Sequence, residues 1–346
     1  MYIILAILLF GILIAIHEFG HFISAKSLGV QVNEFAIGMG PAIYKKQKGE
    51  TLYALRAFPI GGYCALEGED EKNDNPRSLT NQPAWKSFII MIAGSAFNFL
   101  FGIILLVMLF AKADGFSVPV ITSFMEGCIY ESDEAFKKGD RIYSIDGHRI
   151  FSPANVSTYL QTGGDTHDIV VVRDGAKHKL DNLKLVPQQF KDGLFYGLKF
   201  EARETGFWAH IKHPLLYSID FVRDVWRALS GLIAGTIGLD MVSGPVGIVS
   251  FVNNIGKNAE TTALAIERIV YLGAFISINL AVMNMLPLPA LDGGRVLFLL
   301  VNGAAQLILR RKINTNYERY VHAAGMALLL AFMAFIMYND ISRLIR

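Results

Sequence analysis

Apolar positions in this 346-residue chain gather into a few long runs, separated by polar stretches with a shorter period. The first run covers Met1 to Ala25, and the second covers Phe88 to Ala111, 24 residues without a charge. A third runs from Ile269 to Leu286 and a fourth from Tyr320 to Tyr338. Roughly 20 apolar residues in a helix cross the hydrocarbon core of a bilayer, so these runs predict four transmembrane helices. The first has no basic residue ahead of it and no small-residue cleavage pattern, and is read as a retained helix.

The polar stretches predict different elements. From Lys26 to Lys86 breakers cluster at Gly38, Gly40 and Pro41 and again at Pro59-Ile60-Gly61-Gly62-Tyr63, with Leu52-Tyr53-Ala54-Leu55 reading as a short strand between them. This predicts a small hairpin or looped sheet dipping towards the membrane, able to hold an extended peptide by strand addition at Leu52 to Leu55. Glu67 to Arg77 is charged and rich in turn residues. From 112 to 204 the pattern is that of a soluble mixed α+β domain. Val118-Pro119-Val120-Ile121, Arg141 to Ile145 and Asp168 to Val172 are strand-like, Asp146-Gly147, Asp174-Gly175 and Asp192-Gly193 supply turns, and Asn155 to Gln161 suits a short helix after Ser152-Pro153. From Gly206 to Asn258 large apolar residues alternate with charges, and Ala228 to Leu239 is apolar but too short to span, which predicts amphipathic helices at the membrane surface.

The expected organisation is therefore an N-terminal membrane part over 1–111, a soluble insert over 112–204, surface helices over 205–265 and a C-terminal membrane part over 266–346. Composition agrees, with 53% hydrophobic and only 18% charged residues. A net charge of +2 without a basic block gives no reason to expect nucleic acid. Cys64 and Cys128 lack metal-ligand spacing and fall in segments expected on opposite sides of the membrane, so no disulfide is expected between them.

The candidate chemistry lies in the first run, at His17-Glu18-Phe19-Gly20-His21. A lone histidine in an apolar helix is ordinarily an interior residue. Two histidines and a glutamate within five residues of a bilayer-length run are costly to bury unless they are partnered or functional. At a spacing of four, His17 and His21 project from one helical face and can share a metal ion, while Glu18 is placed to act as general base on a metal-bound water. The third run ends in Asn284-Met285-Leu286-Pro287-Leu288-Pro289-Ala290-Leu291-Asp292-Gly293-Gly294, where prolines and glycines prevent regular helix. Irregular backbone at membrane depth is tolerated only against protein or a wet cavity. Asp292 is the candidate third ligand, water the fourth, and Asn284 a candidate for holding a substrate amide. In the second run Gly94 and Asn98 share a face, suiting close helix packing or, for Asn98, a place in the site. His322 is read as structural.

Between Pro287 and Arg319 there are five Lys or Arg against two acidic residues, and the stretch after the first run is also basic. The positive-inside rule puts these two segments in the cytoplasm, leaving the N-terminus, the insert and the C-terminus outside. The first and third runs then point the same way, and His17, His21 and Asp292 fall at similar depth. A membrane metal carrier is the alternative class, distinguished by Glu18: a hydrolase loses activity and keeps its metal in Glu18→Gln, whereas a carrier's flux needs no peptide.

With these motifs in order, the chain resembles the site-2 protease family of intramembrane zinc metalloproteases, in particular its bacterial regulator-of-sigma-E protease type. The resemblance rests on His17 to His21, Pro59 to Tyr63, Gly94 to Asn98, Gly244-Pro245-Val246-Gly247 and Asn284 to Gly294, and covers nearly the whole chain. It implies Zn2+ held by His17, His21 and Asp292, Glu18 as catalytic base, and Asn284 with Pro287 and Pro289 beside the substrate. It also implies a membrane-reentrant sheet over 31–66 and a PDZ domain containing Gly139 to Gly147, although Ser132 to Lys138 depart from that domain's usual small-residue stretch. The fold expected is an α-helical membrane protein with about four transmembrane helices, a reentrant β-sheet and one inserted extracytoplasmic PDZ-like domain. The implied setting is the bacterial cytoplasmic (inner) membrane. The implied substrates are single-pass membrane proteins such as anti-sigma factors or signal-peptide remnants.

Overall fold

The computed structural model describes all residues except 70–73, 192, 239–241, 311–314 and 346. Asp192 of the expected turn, Leu239, the basic residues Arg311 and Lys312, and four positions of the charged stretch after Glu67 lie outside the described residues. The helices are α1 (Tyr2–Ser27), α2 (Ala84–Phe110), α3 (Pro153–Thr162), α4 (Phe207–Ala234), α5 (Pro245–Asn258), α6 (Thr262–Asn284), α7 (Asp292–Leu309) and α8 (Thr315–Ile345). Among the described residues four are long and apolar enough to cross a membrane: α1, α2, α6 and, over Arg319–Arg343, α8. They correspond to the four apolar runs. The chain divides into two compact units, one formed by Met1–Leu109 with Tyr217–Arg346 and the other by Phe110–Leu216.

In the first unit the segment after α1 is two long strands, β1 (Val32–Lys48) and β2 (Thr51–Leu66). Each strand bends on itself. Gly38 and Gly40 in β1 and Gly61 in β2 have φ of 88°, 85° and 84°, a region open to glycine, and a Cβ on Gly38 would stand 2.6 Å from the Phe58 carbonyl oxygen. The folded strands make a sheet of four segments. Glu34 to Ile37 pair on one side with Ala65 to Gly62 and on the other with Leu52 to Leu55, while Tyr44 to Lys48 pair with Leu55 to Thr51. This corrects the expectation for Leu52, Tyr53, Ala54 and Leu55. They are the interior of a longer strand, paired on both sides, and have no free backbone edge to offer a peptide. The edge beside α1 belongs to Gly61 to Leu66.

The sheet packs on the second half of α1, where Phe22 meets the Phe35 and Tyr53 rings at 5.0 and 5.9 Å between centroids. Ala25, Val30, Val32, Leu79 and Ile90 bury together there. Glu50, at the turn between the strands, accepts from Lys26 at 2.6 Å and from Arg77 at 2.5 and 2.8 Å, tying the sheet to the end of α1.

The amphipathic pattern over 205–265 predicts helices at the membrane surface. α4 fits an interfacial helix, with Trp208, Ile211, Leu215, Ile219 and Trp226 exposed at helical spacing. α5 instead buries Val252 against Ala6 of α1 and Ile269 of α6. Its N-terminus is held by a residue the sequence reading passed over: Asp340 of α8, only 3% exposed, accepts the backbone N–H groups of Gly244 and Gly247 at 3.0 and 2.8 Å. Only 6% of the α8 span is buried, so most of its circumference is apolar surface suited to lipid. At its other end His322 Nδ1 accepts from the Ala290 amide at 3.0 Å, the structural role expected of it.

The second unit contains four very short strands in two pairs, β3 (Phe116–Ser117) and β4 (Ser123–Phe124) with partners β12 (Arg203–Glu204) and β11 (Leu198–Lys199). Its main sheet has the order β6-β5-β7-β8, from β5 (Arg141–Ile145), β6 (His148–Arg149), β7 (Thr166–Arg173) and β8 (Ala176–Lys184). A further hairpin joins β9 (Gln188–Phe190) and β10 (Gly193–Phe195). Asp146-Gly147 and Asp174-Gly175 turn with both residues at positive φ, as two-residue hairpins require. Ser152 and Asn155 form a capping box on α3. Val118 to Ile121 is not a strand; Val120 makes a single bridge to Arg141, and Pro119 has no N–H for a ladder. Phe136, Ile142, Ile145, Leu160, Ile169 and Val171 form the core.

Candidate metal centre

Three side chains from two distant helices meet in the first unit. His17 and His21 stand one turn apart on α1 with their Nε2 atoms 3.2 Å apart. Asp292, the first residue of α7, brings Oδ2 to 3.2 Å from His17 Nε2 and 3.3 Å from His21 Nε2. Among the described residues this is the one group of three such side chains close enough to share an ion.

The triangle fits a metal ion. A tetrahedral ion with bonds of about 2.0–2.1 Å separates its ligand atoms by about 3.3 Å. His21 Nδ1 donates to the Ile90 carbonyl at 2.8 Å, so its proton sits on that nitrogen and the Nε2 lone pair faces the group. Asp292 Oδ2 is buried and finds no hydrogen-bond donor. Lone pairs of two imidazoles and a carboxylate crowded together without a hydrogen to share call for a cation. Two nitrogens and one oxygen with a fourth position open are the donor set of a hydrolytic zinc site.

Glycines make the convergence possible. A Cβ on Gly94 would stand 2.3 Å from His21 Nε2, and one on Gly20 would stand 2.5 Å from the Ala93 carbonyl oxygen, so α1 and α2 touch backbone to backbone beside the histidines. The sequence reading placed Gly94 in close packing but missed Gly20 and the Ile90 carbonyl, because neither a spacer glycine nor a backbone oxygen has a signature of its own. Asn98 Nδ2 lies 3.5 Å from His17 Nδ1, while its Oδ1 is buried without a partner. Turning the amide over lets Oδ1 accept from Nδ1–H and leaves His17 Nε2 free to bind metal. Ser277 of α6 anchors this part of α2 by donating to the Asn98 carbonyl at 2.7 Å.

Asp292 is delivered by the turn before it. α6 ends at Asn284, Ala290 takes a φ of 75°, and Gly293 and Gly294 let the first turn of α7 lie on the chain behind it, where added Cβ atoms would come within 2.3 and 2.2 Å of the Leu286 and Leu288 carbonyl oxygens.

A cavity of about 220 Å3 opens at the group, lined by His17, Glu18, Gly61, Gly62, Asn98 and Asn284 with Ile14 and Leu280. Of the residues expected there, the structure brings together His17, Glu18, His21, Asp292, Asn98 and Asn284. Pro287, Pro289 and Leu52 to Leu55 are not among the lining residues; Pro289 packs instead under Gly325 of α8. In place of Leu52 to Leu55 the edge of β2 lines the cavity, and Gly62 is close enough that its Cβ would stand 3.2 Å from Glu18 Cγ.

Comparison with known proteins agrees with this architecture. The model of peptidase family M50 matches residues 5–332. A protein of Fusobacterium nucleatum named as a zinc metalloprotease is 31% identical over 354 residues, covering 99% of this chain and 98% of that protein. One from Clostridium acetobutylicum, named in the same way, is 33% identical over 348 residues, covering 98% and 97%. The regulator of sigma-W protease RasP of Bacillus subtilis is 26% identical over 427 residues, covering 98% and 97%. The chain belongs to peptidase family M50, the site-2 protease family of zinc metalloproteases.

Proposed function

We propose that this protein hydrolyses peptide bonds within or beside the transmembrane segments of single-pass membrane proteins, with His17, His21 and Asp292 as zinc ligands and Glu18 as general base. The observation that carries this reading is the 3.2–3.3 Å triangle of ligand atoms opening into a cavity that Glu18 also lines. When bound, zinc supplies Lewis acidity, acidifying a water molecule and polarising the scissile carbonyl. Glu18 takes the proton from that water on its carboxylate and passes it to the leaving amine nitrogen. Asn98 holds His17 in the ligating tautomer, and the Ile90 carbonyl does so for His21.

A transmembrane helix hides its peptide bonds in intrahelical hydrogen bonds, so a substrate must unwind before it can be cut. The free edge of β2 at Gly61 to Tyr63 is suited to hold the unwound segment by strand addition, with Asn284 across the cavity taking a backbone amide. Two glycines at that edge let a peptide approach to backbone contact. Pro287 and Pro289 act one step back, by shaping the turn that presents Asp292.

The reading extends to placement. The zinc centre lies within the bacterial cytoplasmic membrane towards its inner face, and the second unit is an extracytoplasmic PDZ-like domain that excludes bulky ectodomains. Substrates of this kind include membrane-bound anti-sigma factors, the class suggested by the name of the Bacillus subtilis relative, and signal-peptide remnants. The test is quantitative proteomics of membranes from cells carrying wild type or Glu18→Gln. Single-span proteins accumulating only with Glu18→Gln support the reading; identical membranes with a correctly folded, zinc-loaded variant contradict it.

A further inference from the structure

Arg295 stands in the first turn of α7, three residues after Asp292. A cation in that position is opposed by the partial positive charge of the helix N-terminus, so its placement there calls for an acidic partner. That partner is Glu69, whose Oε1 accepts from Arg295 Nη1 in an ion pair between side chains 31% and 23% exposed. Glu69 lies just beyond β2, and its other carboxylate oxygen accepts the Leu66 amide at 3.3 Å. From Leu66 the same strand runs back to Gly62, which lies against Glu18. The ion pair therefore joins, across 226 positions of sequence, the strand that borders the cavity to the helix that opens with Asp292.

The other close contacts of the Asp292 turn run to the chain just before it and to α8, where His322 accepts the Ala290 amide and Gly325 lies against Pro289, and none of them reaches β2. Gly293 and Gly294 lie against the carbonyls of Leu286 and Leu288, which fixes α7 to the chain immediately before it. Those contacts do not set how far Asp292 stands from β2 or from the histidines of α1. We infer that Glu69 and Arg295 are a positioning pair. They hold the Asp292 turn against the edge strand, fixing both the reach of Asp292 to the metal and the distance between the metal and a peptide paired on Gly61 to Tyr63. This rests on the reading of Asp292 as a zinc ligand.

The test uses the full-length protein in detergent with zinc alone as the first probe. Zinc affinity is measured by competition with a chromogenic chelator for wild type, Glu69→Gln, Arg295→Met, the exchanged pair Glu69→Arg with Arg295→Glu, and Asp292→Asn. Each single variant of the pair is expected to bind zinc roughly tenfold or more weakly, the scale seen when the outer partners of metal ligands are removed. On a synthetic peptide of one hydrophobic span, kcat is expected to fall by a similar factor with little change in KM. The exchanged pair is expected to recover most of both. Single variants with wild-type zinc affinity and kcat would overturn the inference, as would folded single variants that the exchange fails to rescue. Should a single variant fail to fold, the exchanged pair decides: recovery supports the tie and no recovery overturns it. Asp292→Asn separates the two claims, because full zinc affinity in that variant overturns the ligand assignment itself.

Discussion

At the scale of single residues, the centre depends on atoms that are absent as much as on those present. An added methyl at Gly94 would sit 2.3 Å from His21 Nε2, and the far side of that imidazole is fixed by its bond to the Ile90 carbonyl, so the ring has little room to give. Gly94→Ala is expected to lose most bound zinc while the protein still inserts and folds, checked by metal analysis of the purified variant. Asn98→Ala is expected to weaken zinc binding or cleavage by about 10–100-fold, since it removes the group that fixes the tautomer of His17. The side chains that gather at the candidate centre were legible in the sequence because His-Glu-x-x-His, Asn284 and Asp292 are ionisable or polar groups in apolar or broken runs, where their cost demands a reason. Gly20 and the Ile90 carbonyl were not, since their importance exists only once two helices touch.

At the scale of elements, the apolar runs gave the four long helices with boundaries shifted by one to seven residues, because uninterrupted apolar runs have no competing reading. The looped sheet expected between Lys26 and Lys86 forms over Val32–Lys48 and Thr51–Leu66, but periodicity did not give its pairing. Leu52 to Leu55 read as a short strand of that sheet since alternation reports which residues are extended, whereas pairing on both flanks depends on bends at Gly38, Gly40 and Gly61 that bring distant segments together. The turn of that sheet offers a pH test. Arg77 and Lys26 pull the Glu50 carboxyl from 4.5 down to about 2. A lowered value means that the ionised form favours the folded state. The contribution is present above about pH 4.5 and fades as pH falls towards 2. Protection from hydrogen exchange in the turn at 49–51, referred to the intrinsic rate at each pH, is expected to fall over that window in wild type and to be low already at neutral pH in Glu50→Gln. A second element test concerns α5, whose N-terminal amides are capped by Asp340. Asp340→Leu removes two charge-assisted hydrogen bonds, and a loss of about 3 kcal/mol is expected, visible as a lowered Tm in detergent.

At the scale of the whole molecule, two kinds of reasoning meet. Charge bias in the sequence predicts that the segments after the first and third spans share one side of the membrane, and the proposed metal centre needs α1 and α7 to deliver ligands to one point. With Cys64 and Cys128 replaced by serine, a single cysteine at Lys48 is expected to resist a membrane-impermeant thiol reagent in whole cells, while one at Ser157 is expected to react; the reverse pattern contradicts the assigned orientation. The measurement closest to the central claim is zinc content per chain, by mass spectrometry of the metal, for wild type, His17→Ala and Asp292→Ala purified without added zinc. The account predicts about one zinc per wild-type chain and almost none in either variant. Wild type without zinc, or Asp292→Ala retaining it in full, would contradict the claim that two imidazoles of α1 and a carboxylate at the start of α7 build one metal centre.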